Sequence, residues 1–485
     1  MSDRPKVPDP KQLELLRGAV AQLAPVLPLL QELGKRFEQH GHEIALVGGP
    51  VRDAFLGRTS PDLDFTTDAS PDESLAAVEG WADTHWDIGR EFGTIGLRRD
   101  QHHIEITTYR ADTYDRTSRK PEVMFGDTLD GDLVRRDFTV NAMAIRLPSL
   151  EFVDLHGGLA DLAARRLTTP APPEESFADD PLRMMRAARF AAQLGFEVAS
   201  DVRVAMTERA ATLEIVSAER IRDEFTKLVC APSPRPGLAL IVGTGLADHF
   251  IPELPALRLE VDEHHRHKDV YEHSLTVLDQ AIALEGDDVP GPDLVLRLAA
   301  LLHDIGKPAT RRFEPGGGVS FHHHEVVGAK LTARRLKALK FDKDTTKAVA
   351  RLVELHLRFH GYGTGEWTDS AVRRYVTDAG PLLDRLHKLV RSDCTTRNRR
   401  RAAALQRSYD SLEERIADLR KREELDSIRP DLDGNAIMTV LGIRPGPAVG
   451  KAYKHMLAVR MERGPQTREQ AEAELRAWAA DNLPS

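Results

Sequence analysis

The first 160 residues alternate between short apolar runs and helical patterns, whereas the rest of the chain is helical in pattern almost throughout. The short runs have the two-residue alternation or compact apolar character of strands. They cover residues 43–47, 62–67, 94–98, 103–108 and 152–155. A helical pattern over 11–40 precedes them and ends at Gly41, and strand signals are nearly absent after 160. The pattern predicts an α+β chain: a small α/β head followed by a long all-α body.

Proline- and glycine-rich stretches divide the chain into predicted domains. A chain of 485 residues is too long for a single hydrophobic core. The loop at 168–173 closes the head, and a Pro/Gly cluster at 231–237 marks a second boundary. The predicted head, helical neck, third domain and helical tail cover residues 1–170, 171–250, 251–400 and 401–485.

The composition is that of a soluble globular protein, with 29% charged and 41% hydrophobic residues. We expect no membrane-spanning segment, because no apolar run reaches the required length, and no signal-peptide pattern is present. The formal net charge of −9 argues against a uniformly basic nucleic-acid binder, so any RNA contact requires local patches. The two cysteines, Cys230 and Cys394, lie far apart, which suggests a reducing cytoplasm and no disulfide framework.

A glycine turn and a helix start follow directly on the first strand-like run. Gly48 and Gly49 let the backbone approach an anion closely, and Pro50 suits the first position of a helix whose N-terminal amides face that anion. Arg52 adds a permanent positive charge on the same turn. A Gly-Gly turn by itself is usually only a turn, but this one predicts a phosphate-binding element if a metal site lies nearby.

Asp62 and Asp64 supply that candidate metal site. They lie one residue apart in the second strand-like run, so their side chains project to the same side. Two adjacent carboxylates are costly without a cation, and a pair of Mg²⁺ ions supplies it. An isolated pair is more often a solvated strand edge. Its position soon after the glycine turn instead predicts a metal-nucleotide site for nucleotidyl transfer.

The order of these motifs resembles the DNA polymerase β-type nucleotidyltransferases. More narrowly, it resembles the bacterial tRNA nucleotidyltransferase and poly(A) polymerase family. The resemblance continues through residues 135–142 and 179–190 and covers roughly residues 40–230 closely. It implies a polymerase β-like head and CTP/ATP:tRNA nucleotidyl transfer that rebuilds the 3′-terminal CCA, in the cytoplasm.

The resemblance also implies roles for individual residues of the head. Asp62 and Asp64 hold Mg²⁺, and Glu105 is a third catalytic carboxylate, although by sequence alone it is equally a solvated strand residue. The polar segment between Arg110 and Arg135 matches a flexible loop of members that add the terminal adenosine. The implied nucleotide-binding residues are Gly48, Gly49, Arg52, Arg136, Asp137, Asn141, Asp180, Arg183, Arg186 and Arg189.

Asp180 and Arg183 predict how the base is selected. Spaced three residues apart at the start of a helix, they face the same way. A carboxylate accepts hydrogen bonds and a guanidinium donates them, which matches cytosine and adenine but leaves uracil and guanine unpaired. Out of context the pair is an ordinary helix N-terminal ion pair; downstream of the head motifs it predicts a protein template. One departure is Asp179, where the family often has Glu.

A second candidate site lies in the third domain, since ten of the 19 histidines fall between 264 and 360. An adjacent His-Asp pair with distant His and Asp partners resembles the HD metal-dependent phosphohydrolases. The implied ligands are His273, His303, Asp304, His324, His356 and Asp393. Such ligands suit Mn, Ni, Fe or Co, and a bound metal makes hydroxide available near neutral pH. A single helical histidine is more often a core residue, but the full set favours a metal site.

Candidate RNA contacts are the least sharply encoded feature. Charge runs are usually solvated faces, although phosphate contacts need only such patches. The candidates lie on two helical segments near the C-terminus and are Arg397, Arg399, Arg400, Lys451 and Lys454.

These features predict an enzyme whose partners are tRNA, CTP and ATP, with no membrane contact. The alternative within the class is a poly(A) polymerase, because an Asp/Arg pair admits adenine. The stretch 92–95 and the fused HD domain favour CCA addition. A third reading, an HD phosphohydrolase or RNA-binding protein with an inert head, is disfavoured by the intact pair of Asp62 and Asp64. The sequence leaves the oligomeric state open.

Overall fold

The structure is a computed structural model in which two compact units follow one another, Met1–Phe250 and Ile251–Ser485. The described residues are 10–86, 89–90, 93–109, 128–258, 269–286, 290–315, 318–359, 367–396, 398–423 and 428–483. The division falls at the predicted end of the neck, and the other domain boundaries stay predictions.

A mixed seven-stranded sheet forms the core of the first unit. Its strands are β1 (Ile44–Val47), β2 (Asp62–Thr67), β3 (Thr84–Trp86), β4 (Thr94–Arg99), β5 (His102–Thr108), β6 (Ala144–Leu147) and β7 (Glu151–Val153). Their order is β3-β4-β5-β2-β1-β6-β7, with β2 and β5 parallel and the other neighbours antiparallel. The sequence missed β3, a three-residue strand, and β6, a four-residue strand with no clear alternation.

Two helices precede the sheet, α1 (Pro10–Leu23) and α2 (Leu27–Gln39), separated by a 3₁₀ turn. The single predicted helix is therefore broken, at a segment containing Pro25. By length and composition alone, Pro10–Gln39 meets the criteria for a membrane-crossing helix, which a core helix of a soluble protein also meets. In the fold, however, Leu33 and Phe37 are fully buried, as in a helix packed on a protein core.

The remaining helices of the first unit surround the sheet and then form the neck. A two-stranded parallel ribbon, β8 (Arg166–Leu167) and β9 (Glu197–Val198), joins the two parts. The helices are α3 (Gly49–Phe55), α4 (Pro71–Ala77), α5 (Leu129–Val134), α6 (Gly158–Ala164), α7 (Pro173–Asp179), α8 (Leu182–Leu194), α9 (Ser200–Arg209), α10 (Ala218–Val229) and α11 (Arg235–Gly243). The helix α8 packs on α10 and α11, burying Met184, Ala188 and Phe190.

The second unit is helical apart from one short antiparallel ribbon, β10 (Arg312–Phe313) and β11 (Val319–Ser320), within its described residues. Its helices are α12 (Val270–Ala283), α13 (Leu294–Leu302), α14 (Lys307–Thr310), α15 (His324–Ala338), α16 (Lys343–Leu355), α17 (Asp369–Ala379), α18 (Leu383–Ser392), α19 (Arg399–Arg422), α20 (Gly434–Leu441), α21 (Pro447–Arg463) and α22 (Arg468–Asn482). An apolar cluster of Ile437, Met456 and Leu475 holds the last three together. The predicted α+β architecture is confirmed.

Candidate functional sites

Three carboxylates meet on one face of the head sheet. In the parallel pair of β2 and β5, Asp64 lies directly opposite Glu105, and Asp62 shares the face of Asp64 because side chains alternate along a strand. Asp62 and Glu105 are exposed, whereas Asp64 is partly buried. Burial, and then the neighbouring Glu105 carboxylate, raise the pKa of Asp64 to about 6. A divalent cation would relieve this repulsion, so the carboxylates fit a Mg²⁺ site.

The glycine turn closes tightly over these carboxylates. Gly48 caps α3 with φ +73° and ψ −133°, a conformation that side chains rarely adopt. A Cβ atom there would lie 3.3 Å from Arg136 Nη1 and 3.9 Å from Asp64 Oδ2. The backbone angles therefore favour glycine at this position, and the space beside the Arg136 side chain is tight. Pro50 is the second residue of α3, one position later than predicted.

A buried polar network links α3 to α8 behind the turn. Arg52 Nη1 donates to Asn141 Oδ1 at 2.7 Å, and Asn141 Nδ2 donates to Asp137 Oδ1 at 2.9 Å. Arg186 Nε donates to the other oxygen of Asp137 at 2.7 Å. Burial alone would raise the pKa of Asp137, but the Arg186 guanidinium and the Asn141 hydrogen bond hold it at about 2. The carboxylate therefore stays ionised and fixes two arginines on one side of the site.

A cluster of guanidinium groups surrounds the Phe190 ring. The Cζ atoms of Arg52, Arg186 and Arg189 lie 5.2, 5.7 and 4.1 Å from its centroid. Arg189 Nε donates to Glu224 at 2.6 Å. Several arginines beside a group of carboxylates that could bind a metal ion are suited to binding a polyphosphate. The Phe190 ring contacts these arginines through cation–π interactions. The sequence did not predict this residue as part of the site.

Asp132 was also missed by the sequence analysis. It is buried in α5, and its Oδ2 accepts from Arg136 at 2.8 Å while Oδ1 accepts from Arg135 at 2.8 Å. The spacing of four residues between Asp132 and Arg136 was the available signal.

These side chains line a single cleft of about 510 Å³ in the first unit. The volume is in the range of small-molecule sites, ~300–1,000 Å³. Among the predicted site residues the lining includes Gly48, Gly49, Arg52, Asp64, Glu105, Arg136, Asp137, Asn141, Asp180, Arg183, Arg186 and Arg189. Asp62 lies on the strand face beside the cleft and is not part of its lining.

The prediction that Asp180 begins a helix is wrong, because α8 begins at Leu182. Asp180 is extended, with φ −142° and ψ 102°, since the following Pro181 disfavours helical backbone before it. Its Oδ1 accepts from the Leu182 amide at 3.1 Å, and its Oδ2 pairs with Arg220 Nη2 at 2.7 Å. The Asp180 carboxylate is thus held by α10 as well as by its own turn.

Arg183 is likewise anchored. Its Nη1 donates to the Ser176 carbonyl at 3.2 Å and hydroxyl at 3.0 Å, and its Nη2 donates to the Arg135 carbonyl at 2.5 Å. Asp180 and Arg183 therefore line the same cleft, each fixed by separate partners.

In the second unit the six predicted HD residues form one cluster. The ligand atoms of His273, His303 and Asp393 lie within 4.8 Å of one another, and so do those of Asp304, His324 and His356. The two triads adjoin, because Asp304 Oδ2 is 3.2 Å from His303 Nε2 while Oδ1 is 3.3 Å from His324 Nε2. The convergence of side chains from five parts of the chain agrees with the ligand set that the HD resemblance implied.

The hydrogen bonds of three histidines orient their rings in a way that suits metal binding. The Nδ1 atoms of His303, His324 and His356 lie 2.9, 2.8 and 2.6 Å from backbone carbonyl oxygens. With Nδ1 donating to a carbonyl, the Nε2 atoms of His324 and His356 present their lone pairs to the centre. The Nε2 atoms of His324 and His356 are buried without a hydrogen-bond partner, and burial lowers the pKa of His356 to about 3. These orphaned acceptors fit a metal centre with up to two ions.

The predicted RNA contacts that the structure describes lie on two helices of the second unit, α19 and α21. Arg399 and Arg400 are exposed at the start of α19, and Lys451 and Lys454 are exposed on α21. Arg397, Phe92, the segment 110–127 and the histidines at 264, 265, 267 and 360 lie outside the described residues.

Three family profiles match the chain. They are the Poly A polymerase head domain at 44–168, the probable RNA and SrmB-binding site of polymerase A at 195–257, and the HD domain at 270–419. The carboxylate cleft on the head sheet, together with these matches, places the chain among the nucleotidyltransferases with a polymerase-type head.

Comparison with curated relatives identifies the family within this class of nucleotidyltransferases. The chain is 33% identical over 450 residues to the A-adding tRNA nucleotidyltransferase of Deinococcus radiodurans, covering 90% of this chain and 96% of the relative. It is 32% identical over 444 residues to the CC-adding tRNA nucleotidyltransferase of Thermus thermophilus, covering 89% and 93%. The chain belongs to the bacterial tRNA nucleotidyltransferase family, as its motifs predicted.

The fold agrees with solved structures of this family. The Bacillus stearothermophilus CCA-adding enzyme in complex with CTP superposes with a TM-score of 0.67 at 22% identity, covering 95% of this chain and 98% of that one. This likeness confirms the arrangement of a mixed α/β head and a helical body.

Proposed function

We propose that the protein is a template-independent CTP/ATP:tRNA nucleotidyltransferase that adds or repairs the 3′-terminal CCA of tRNA in the cytoplasm. The observation that carries the proposal is the register of Asp64 opposite Glu105 beneath the glycine turn. This arrangement places metal-binding carboxylates, a phosphate-binding turn and arginines around one cleft.

The chemistry follows from the positions of these groups. Mg²⁺ held by Asp62 and Asp64 would neutralise the charge that develops on the transferred phosphoryl group. Glu105 lies beside Asp64 and is placed to accept the proton of the tRNA 3′-hydroxyl. Arg52 and the backbone at Gly48 bind the triphosphate, and positioning supplies much of the rate.

Base selection is assigned to Asp180 and Arg183, which line the same cleft. Asp180 accepts from the exocyclic amine of cytosine or adenine, and Arg183 donates to the adjacent ring nitrogen. Uracil and guanine present a carbonyl and a ring N–H at these positions, so each would leave buried polar groups unpaired. The protein side chains thus replace a nucleic-acid template.

Addition of adenosine alone is the second candidate, because the Deinococcus radiodurans relative that matches 90% of the chain is an A-adding enzyme. Three tRNA substrates separate the possibilities: one ending at the discriminator base, one ending in C and one ending in CC. Extension of all three to CCA with CTP and ATP supports the proposal. Extension of only the CC-ended tRNA would establish an A-adding enzyme, and products that stop at CC would establish a CC-adding one.

The His/Asp cluster supports a second activity, a metal-dependent phosphohydrolase that uses Mn²⁺, Ni²⁺, Fe or Co. The observation that supports it is the pair of adjoining triads, with Asp304 of one triad 3.2 Å from His303 of the other. Such a cluster supplies a metal-activated hydroxide near neutral pH. Hydrolysis of phosphomonoesters and cyclic phosphodiesters by protein loaded with each metal tests it, and wild-type protein that hydrolyses none of them would refute it.

For tRNA binding we assign the exposed cations on α19 and α21, namely Arg399, Arg400, Lys451 and Lys454, together with Arg397. Contacts to phosphate by such residues weaken as salt rises. Loss of tRNA affinity in charge-removing variants, with a smaller dependence on salt, tests this assignment.

A further inference from the structure

The β10–β11 ribbon carries the most exposed large apolar side chain among the described residues. Phe313 is 75% exposed, and the Arg311 guanidinium carbon lies 4.8 Å from its ring centroid. Arg312 is exposed beside it. An exposed aromatic ring flanked by two arginines is unusual for a simple connector, because it leaves apolar surface in water.

Both ends of the ribbon are tied to the HD cluster. On one side, α14 begins at Lys307, whose Nζ is 2.9 Å from Asp304 Oδ2. On the other side, β11 is followed by Phe321, whose carbonyl oxygen lies 2.8 Å from Nδ1 of His324. The residues that contact the cluster therefore bracket the ribbon in sequence.

The antiparallel register of the ribbon relates Phe313 to the strand that leads back to the cluster. Phe313 is directly opposite Val319, which is two residues before Phe321. The path is therefore about 7 Å along one strand and about 5 Å across the ribbon. This path ends at Phe321, whose carbonyl oxygen contacts His324 of the cluster, and a few nucleotides of an extended RNA strand are long enough to follow it.

We propose that Phe313 is a stacking platform for the nucleobase of an RNA end or nucleotide whose phosphoester lies at the HD cluster. Base–aromatic stacking accepts every base, because each presents a π face. Lys307, Arg311 and Arg312 supply positive charge for the phosphates. One negative group, Glu314, also lies on the ribbon, but it accepts a hydrogen bond from Ser320 at 2.5 Å.

This inference rests on the phosphohydrolase activity proposed above and names its substrate class. The platform selects phosphoesters that carry a base, whereas the cluster alone would accept any accessible phosphoester. Phe313 is thus a positioning residue, and its removal weakens nucleotide binding with little effect on the hydrolytic step.

The first measurement separates KM from kcat. Full-length protein loaded with Mn²⁺ is assayed with two substrates. One is adenosine 2′,3′-cyclic phosphate, and the other is the baseless 1-O-methylribose 2′,3′-cyclic phosphate. We expect Phe313→Ala to raise KM for the adenosine substrate about fivefold to a hundredfold at near-constant kcat, as loss of a stacked base predicts. The KM for the baseless substrate should not change, and Phe313→Tyr should restore the wild-type value. Equal effects on both substrates would overturn the proposal.

The second measurement does not depend on turnover. In an Asp62→Ala background, which disables the head, 2-aminopurine riboside 3′-monophosphate should lose fluorescence on binding because its base stacks. Phe313→Ala should abolish this quenching, while Leu284→Ala, which trims another exposed apolar side chain of the second unit, should preserve it. Absence of quenching in the parent, or its persistence in Phe313→Ala, would refute the platform. Quenching without hydrolysis of any phosphoester would refute the phosphohydrolase and retain the site.

Discussion

The carboxylate of Asp180 is held by the guanidinium of Arg220, with Oδ2 and Nη2 2.7 Å apart. Asp180 lies in the turn before α8, whereas Arg220 comes from α10. The arginine holds the carboxylate in one orientation by a charge-assisted hydrogen bond. The base selection that we propose for Asp180 therefore also involves Arg220, a residue outside its motif.

The first prediction concerns the ion pair between Arg220 and Asp180. Arg220→Ala should raise KM for CTP and ATP and reduce discrimination against UTP and GTP by about twofold to fivefold, the scale of a partly exposed ion pair. Arg222→Ala is the matched control, because Arg222 pairs with its neighbour Asp223 at 2.7 Å. Steady-state incorporation of all four nucleotides by both variants measures the effect. Wild-type selectivity in Arg220→Ala would show that the pair is incidental.

Direct changes to the base-reading pair should act more strongly. Asp180→Asn creates a group that can donate to uracil or guanine carbonyls, and Arg183→Met removes the donor to the ring nitrogen. Loss of a charge-assisted hydrogen bond costs about 1.5–3 kcal/mol, so selectivity should fall roughly tenfold to a hundredfold. Residual chemistry should survive, because the carboxylates on β2 are untouched. The measurement is incorporation of each of the four nucleotides on one tRNA. If both variants kept the wild-type nucleotide preference and rate, the protein-template hypothesis would be refuted.

Removal of either metal-binding carboxylate should abolish transfer. Asp62→Ala and Asp64→Ala each remove a ligand, which should cost several kcal/mol of transition-state stabilisation. Circular dichroism should show a folded protein in both cases. Asp68→Ala is a suitable control, since Asp68 is exposed just after the same strand. Near-normal incorporation by either ligand variant would place the catalytic site elsewhere.

The HD cluster should be separable from nucleotide addition. His303→Ala should lower the bound transition metal and any phosphoester hydrolysis, yet spare incorporation of CTP and ATP, because the two clusters lie in different units. Metal content by mass spectrometry, with both activities measured on one preparation, provides the test. Loss of nucleotide addition together with metal would contradict the separation.

Asp137 predicts a pH-dependent contribution to stability. Its pKa is about 2 in the folded protein, below the ordinary value of 3.8, so its stabilisation is present above about pH 4 and is lost as pH falls toward 2. Integrated over that shift, the contribution is about 2 kcal/mol. Asp137→Asn should therefore lower the thermal midpoint at pH 7, and the difference from wild type should shrink at acid pH. A constant difference would show that the carboxylate charge contributes nothing.

Local pattern was enough to predict five of the seven strands of the head sheet and the glycine turn, whereas the cleft residues and the HD ligands came from the family resemblances. Asp64 and Glu105 are 41 positions apart in the sequence, yet the family resemblance placed them together before their register was known. Asp180 was predicted at the start of a helix but lies in the turn before α8, because Pro181 disfavours helical backbone at the preceding residue. Arg220 and Phe190 were missed because their roles depend on packing between helices, which no local spacing encodes.

The spread of the HD cluster along the chain has a consequence for folding as well as for chemistry. Ligands at 273 and 393 stand 120 positions apart, and the others lie between them. A metal bound there acts as a cross-link that closes long loops of the second unit. At a concentration 100 times its dissociation constant, such an ion adds about 2.7 kcal/mol to stability. Chelation should therefore lower the melting temperature of the second unit, so the cell's supply of metal helps set how long the enzyme survives.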